Sequence, residues 1–221
     1  MTANTLTEIP DALLGIRHFL SITETPADRL QSLVSFSIQR KGQFKRDELK
    51  TPFQGRILAM IFQKSSLRTR LGFEAAMAQL GGHAINLEDH QIGLTRRESP
   101  RDVARVISSM ADVIMARVYA HQSVVELAAN ATVPVINGLS DWAHPCQAVA
   151  DLMTIQERFG QLQGLRLAYI GDANNVARSL LNACVKTGMS FSIASPPGYQ
   201  LDEALVQHAL SGAAQSGSQI A

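Results

Sequence analysis

The run Phe62-Gln63-Lys64-Ser65-Ser66-Leu67-Arg68-Thr69-Arg70 follows the apolar stretch Ile57-Leu58-Ala59-Met60-Ile61 and leads into Gly72-Phe73-Glu74-Ala75-Ala76-Met77. An apolar run closed by small hydroxyl side chains, then Phe73, Met77 and Leu80 at helical spacing, reads as strand, tight turn and helix. Such a turn suits an anion. The amides at a helix start carry roughly half a positive charge, Ser66 and Thr69 add hydroxyl donors, and Arg68 adds a fork that matches a phosphate. The same residues also fit a plain surface helix capped by Ser66, with Arg68 solvated and Arg70 paired to Glu74 one turn on. The turn alone does not choose between the two.

Outward from this stretch the chain alternates. Pro26, just inside Thr25, opens a helix with Leu30, Leu33 and Val34 on its apolar face, expected to end near Gly42. Residues 41–50 read as a solvated connection. Gly81-Gly82 stops the helix after the phosphate-like turn, and 83–87 is extended again. Residues 88–98 read as a loop. Ser99-Pro100 caps a helix whose expected buried stripe is Val103, Val106, Ile107 and Met110. A buried strand over 113–119 carries Arg117 near its end, a helix covers 123–129, and 133–137 is a further strand. A long helix over 141–159 precedes a second alternating unit. Its strands are 164–172 and 191–194, and its helices run from Val176 to Gly188 and over 202–210. The small, polar residues 211–221 are expected to fray or to act as a linker.

Strand and helix in alternation, without hairpin signals, predict the α/β class: a parallel sheet with helices on both faces. The expected organisation is two doubly wound parallel-sheet domains, 1–142 and 143–221, a division implied by a family resemblance of the motifs. The second is expected to be incomplete, because two strands and two helices leave a sheet face or edge uncovered. Ligands of such sheets bind beyond the carboxyl ends of the strands. Ser66, Arg117 and His144 each follow one of those ends, so they are expected on one rim.

Composition narrows the classes of function. With 221 residues, 46% of them hydrophobic, and a formal net charge of +1, nothing points to nucleic acid or an anionic membrane. Cys146 and Cys184 have neither metal-ligand spacing nor the number for a disulfide framework, and fit a reducing compartment. Residues 1–11 hold no arginine and no apolar signal core, and no apolar run approaches the ~20 residues of a membrane span. The expected location is the cytoplasm.

Far from the first turn stand Asn137-Gly138-Leu139-Ser140-Asp141 and His144-Pro145-Cys146-Gln147, with Met115-Ala116-Arg117 between. Together these stretches resemble the carbamoyltransferases, which move the carbamoyl group of carbamoyl phosphate onto an amine. Ser66-Leu67-Arg68-Thr69-Arg70 is similar to the family's phosphate-binding S-T-R-T-R, with Leu67 in place of the usual threonine, and His144 to Gln147 is similar to its H-P-x-Q. The wording from Asn137 to Asp141, and Ala150-Asp151-Leu152-Met153-Thr154-Ile155-Gln156-Glu157 after His144, looks like the ornithine branch. The likeness spans about residues 19–199 with the motifs in order.

The resemblance implies roles. Ser66, Leu67 (through its backbone amide), Arg68 and Thr69 hold the phosphate, and Gln91 reaches a phosphate, either its own or a neighbouring subunit's. Arg117 and His144 polarise the carbonyl, where negative charge grows as the amine attacks, and Gln147 accepts from the carbamoyl NH2. Asn175, with Asn174 beside it, holds the backbone of ornithine; read alone, these two are loop asparagines tolerating a left-handed conformation. No metal, cofactor or covalent intermediate is required. The implied product is L-citrulline, a step of arginine biosynthesis, and the implied assembly is a homotrimer. Acetylornithine, putrescine and aspartate are rival acceptors. Carbamoyltransferases of the ornithine type also carry a Ser-Met-Gly loop and a His-Cys-Leu-Pro motif in a further third of chain, and neither string occurs here. The expectation is therefore a fragment of such an enzyme, or a carbamoyl-phosphate binder without full catalysis. A dinucleotide enzyme is disfavoured, since Ala173, Asn174 and Asn175 stand where the glycines after Gly171 would be needed.

Overall fold

A computed structural model describes residues 9–221. The elements in order are α1 (Ala27–Lys45), β1 (Ile57–Phe62), α2 (Leu67–Gln79), β2 (His83–Glu88), α3 (Asp89–Ile92), α4 (Pro100–Ser108), β3 (Val113–Arg117), α5 (His121–Asn130) and β4 (Val135–Leu139), then α6 (Pro145–Phe159), β5 (Arg166–Ile170), α7 (Asn175–Thr187), β6 (Ser190–Ala194) and α8 (Glu203–Ser216). By packing the chain divides into two compact units. One holds Leu14–Leu20 and Arg40–Asp141; the other holds Pro10–Leu13, Ser21–Gln39 and Trp142–Ala221.

In the first unit four parallel strands lie in the order β2-β1-β3-β4. Side chains of β1 alternate between two cores, as the period of a strand requires. Leu58, Met60 and Phe62 pack with Met77 of α2 on one face. Ala59 and Ile61 pack with Val103 and Ile107 of α4 and Val124 and Leu127 of α5 on the other. Covering both faces is what turns β1 into a nearly continuous apolar run. Gly138 shows how close the strands approach: a Cβ built there meets Met115 Sδ at 2.5 Å. Asp112, just before β3, accepts from the Ile57 amide at 2.9 Å and from Arg56 at 2.6 Å. These donors, the Ile57 amide foremost, hold its carboxyl below the usual range.

In the second unit β5 and β6 pair in parallel, and Phe191 of β6 is fully buried. Lys186 of α7 donates to the carbonyls of Thr23 (3.1 Å) and Thr25 (2.6 Å), tying the residues ahead of α1 to α7. On β5 the side chains of Arg166, Ala168 and Ile170 are exposed, Ile170 by 87%, so one face of this short sheet is uncovered. Among the described residues no helix is long and apolar enough to cross a membrane.

Several expectations are corrected. The first helix passes Gly42 and ends at Lys45; the stop is Asp47, which takes the left-handed φ of 59° that a glycine was expected to supply. Residues 88–98 are not all loop. Glu88 and Gln91 form a reciprocal capping box around the short α3. Helix α4 buries Val103, Ala104 and Ile107, whereas Val106 and Met110 are exposed, because it faces the sheet along the 103-104-107 line. The tail does not fray: α8 continues to Ser216, and Gln219 and Ala221 exchange backbone hydrogen bonds with Phe191 and Ile193 of β6. The unpaired amides of an edge strand explain why so polar a segment is ordered.

Two outcomes test this account. Gly138→Ala must displace Met115 from a filled core, lowering stability by about 1–3 kcal/mol in urea unfolding. Asp112→Asn should lower the unfolding midpoint at pH 7. Because the folded carboxyl titrates below the unfolded value of about 3.9, its stabilisation is complete above that value and lost as pH falls through the folded one. The difference between variant and parent in a thermal scan should therefore narrow and close as the pH falls below the ordinary carboxylate range.

Candidate active site

The register of the first sheet sets the geometry. Phe62, the last residue of β1, pairs with Arg117, the last of β3. The turn that follows Phe62 therefore begins beside Arg117. The Gln63 amide donates to the Arg117 carbonyl at 2.9 Å. Its side chain accepts from the Tyr119 amide at 3.0 Å and donates to the Leu94 carbonyl at 3.3 Å. Lys64 lies over the Tyr119 ring, 4.9 Å from its centre.

Ser66 is the N-cap of α2, with extended backbone, and its Oγ accepts from the Thr69 amide at 3.3 Å. Helix geometry leaves the amides of Leu67 and Arg68 without partners inside the helix, facing out of its positive end. Thr69 Oγ1 receives Ser66 Oγ at 3.0 Å and Arg117 Nη1 at 3.3 Å. Arg117 Nε is buried and has no hydrogen-bond partner among the described residues. Burial lowers the pKa of this guanidinium, as expected of a cation drawn out of water with too little compensation. Arg68 is exposed and makes no side-chain hydrogen bond or ion pair among the described residues. Arg70 does what the plain-helix reading expected, pairing with Glu74 at 2.9 Å.

A cleft of about 810 Å³ meets this turn from the β2 side, lined by Lys64, Ser65, Ser66 and Leu67, by Asn86 and Glu88, and by Arg70, Arg96 and Tyr119. Arg68, Thr69 and Arg117 lie outside its lining. Gln91 is engaged locally: its Oε1 accepts from the Glu88 amide at 2.9 Å, and Arg97 donates to its carbonyl. The structure thus brings Ser66, Leu67, Arg68, Thr69 and Arg117 together in one unit and sets Gln91 in the short helix α3 after β2.

The remaining site residues belong to the second unit. His144 is the N-cap residue of α6 with Pro145 at the first helical position, and its amide donates to Ser179 Oγ at 2.9 Å. Gln147 Nε2 donates to Asp151 at 2.9 Å, leaving Oε1 as an acceptor. Burial raises the Asp151 pKa, and the Gln147 bond opposes that rise. Asn174 caps α7, its Oδ1 accepting from Val176 (2.9 Å) and Ala177 (3.3 Å). Asn175 is the first residue of the helix. Neither asparagine is left-handed, because the cap needs an extended residue followed by a helical one. Burial pushes the thiols of Cys146 and Cys184 up to about 12, which keeps them from acting as nucleophiles. Gln63 and Ser179 were not among the residues singled out from the sequence. The bonds that matter here reach partners 31 or more positions away, and no local pattern announces them.

A four-stranded parallel sheet that sets an arginine beside a serine-capped helix start defines an α/β protein whose first unit has a rim suited to an anion. Comparisons with known proteins make that class specific. The sequence model of the aspartate/ornithine carbamoyltransferase carbamoyl-P binding domain matches residues 17–157, and that of the Asp/Orn binding domain matches 163–221. The chain belongs to the aspartate/ornithine carbamoyltransferase family. It is 54% identical to the anabolic ornithine carbamoyltransferase of Pyrococcus furiosus over 204 residues, 92% of this chain and 65% of that protein. The ornithine carbamoyltransferase of Anoxybacillus flavithermus is 47% identical over 204 residues, again 92% and 65%. Among solved structures, ornithine carbamoyltransferase from Pyrococcus furiosus superposes with a TM-score of 0.90 at 46% identity, over 92% of this chain and 65% of that one. The mitochondrial enzyme from Coccidioides immitis gives 0.86 at 37% identity, over 92% and 68%. The chain thus spans about 65% of the length of the first curated relatives it matches.

Removing the charge of Arg117 tests the cost of its burial. Arg117→Met should raise the unfolding midpoint by roughly 2–4 °C, the shift about 1 kcal/mol gives in a chain of this size, while weakening anion binding. Calorimetric scans of both proteins check it.

Proposed function

We propose that the chain carries the carbamoyl-phosphate site, and part of the amino-acid site, of an ornithine carbamoyltransferase that makes L-citrulline and phosphate for arginine biosynthesis. The observation that carries this reading is the under-hydrogen-bonded Arg117, in register with the strand that delivers the Ser66 turn. The names of the relatives support ornithine as acceptor.

In this reading the phosphate rests on the Leu67 and Arg68 amides, the hydroxyls of Ser66 and Thr69, and the Arg68 guanidinium. Arg117 and His144 donate to the carbamoyl oxygen, and Gln147 Oε1 accepts from the carbamoyl NH2. The neutral δ-amine attacks the carbonyl carbon, the C–O bond to phosphate breaks with its electron pair leaving on phosphate, and the amine nitrogen sheds a proton. Asn175, flanked by the capping Asn174, holds the α-substituents of the amino acid. Alignment of two bound reactants supplies several kcal/mol of the barrier, roughly 7–11 at best, and donors aimed at the developing oxyanion add more. The protein acts in the cytoplasm as a homotrimer, with Gln91 offered to a phosphate from the short helix α3. Binding without transfer is the second reading. Its support is that the phosphate side is furnished by a whole rim, whereas the amino-acid side rests on two asparagines.

Arg68→Ala should weaken carbamoyl phosphate binding by about two orders of magnitude in titration calorimetry, as one bidentate, charge-assisted contact is lost. An unchanged dissociation constant overturns the assignment. A citrulline assay with ornithine and its rivals then separates enzyme from binder.

A further inference from the structure

His144 and Asn175 are assigned to opposite ends of the reacting pair, and one side chain joins them. Ser179, on the second turn of α7, is 4% exposed. Its Oγ accepts the His144 amide at 2.9 Å and donates to the Asn175 carbonyl at 2.8 Å. A serine within a helix often donates back to the carbonyl four residues earlier, and that bond alone is unremarkable. The second bond is of a different kind. His144 stands ahead of the first turn of α6, so its amide has no acceptor within that helix, and the serine of another helix supplies one.

The other degrees of freedom of His144 are closed as well. Pro145 restricts the backbone of the residue before it, observed at φ −131° and ψ 70°. The His144 carbonyl accepts from the Ala148 amide at 3.2 Å. With both peptide groups held, the direction in which the imidazole leaves the backbone is fixed by α6 on one side and by Ser179 on the other. At its far end the same hydroxyl holds the first peptide of α7, where Asn175 sits beside the Asn174 cap.

We propose that Ser179 is a positioning residue, which holds the carbamoyl-polarising His144 and the amino-acid-binding Asn175 at one spacing through a single shared hydroxyl. The inference rests on the roles given to His144 and Asn175 in the proposed function. A hydroxyl is required because the position must accept and donate at once; alanine does neither and leaves a half-buried amide unpaired.

The test compares the full chain with Ser179→Ala, Ser179→Thr and His144→Ala. Ser179→Ala should weaken carbamoyl phosphate binding about tenfold in titration calorimetry, the factor that ~1.4 kcal/mol from one buried hydrogen bond produces. Ser179→Thr keeps the hydroxyl and should restore most of the affinity. In amide NMR spectra, carbamoyl phosphate should shift the Asn175 resonance in the parent protein and much less in Ser179→Ala, a readout that loss of stability alone does not move. If Ser179→Ala binds within twofold of the parent while His144→Ala is weakened tenfold or more, the bridge is overturned and the site reading stands. If both variants bind like the parent, the bridge falls together with the role of His144. A lowered melting temperature in Ser179→Ala with unchanged affinity reduces Ser179 to a packing residue and equally overturns the proposal.

Discussion

The site in the first unit depends on a constraint of register: β1 and β3 run parallel and end together, Phe62 beside Arg117. Parallel neighbours bring their carboxyl ends to the same rim, so the turn leaving one strand and the arginine closing the next become neighbours although 51 positions of sequence separate Ser66 from Arg117. A slip of one residue would turn Arg117 to the opposite face of the sheet and bury its charge among α4 and α5. The cores prevent this. Ala59, Ile61, Ile114 and Ala116 fill one face, Leu58, Met60 and Met115 the other, and neither set can be exchanged without leaving voids. Gln63 then fixes the strand exits with one backbone and two side-chain hydrogen bonds.

The electrostatics follow from that placement. An arginine with its Nε buried and unpartnered is destabilising by itself, and in the proposed site an anion or a polarised carbonyl would complete its hydrogen bonds. Thr69 reports the same economy. Its Oγ1 takes donors from both Ser66 and Arg117, so the cap of α2 and the guanidinium are oriented by one atom. Arg68 differs, being exposed and free to meet a ligand as it arrives. In the proposed site, the buried arginine would orient the ligand and the exposed one would meet it first.

Much of this was legible in the sequence, because strands covered on both faces and helix starts with hydroxyl caps leave local signatures. Ser66 and Ser99 announced their helices, and the apolar runs at 57–61 and 113–116 announced buried strands. What was misread has local physical reasons. Asp47 took a conformation expected of glycine, the 88–91 capping box was hidden by an otherwise polar loop, and the last residues were ordered by strand pairing that no composition reveals. The two braces, Gln63 and Ser179, were illegible for a different reason. A hydrogen bond to a backbone amide 35 or 56 positions away selects for one polar atom and leaves no periodicity behind.

The second unit draws on three separated parts of the chain. Residues 21–39 pack with residues 142–221, and the Lys186 clamp on Thr23 and Thr25 spans 161 positions or more. During synthesis the N-terminal portion of α1 thus emerges early and must wait, with its Leu30 and Val34 unburied, while the entire four-stranded sheet is made and folded. Nascent chains in that interval expose an apolar helix with no partner yet translated, the kind of surface that chaperones shield.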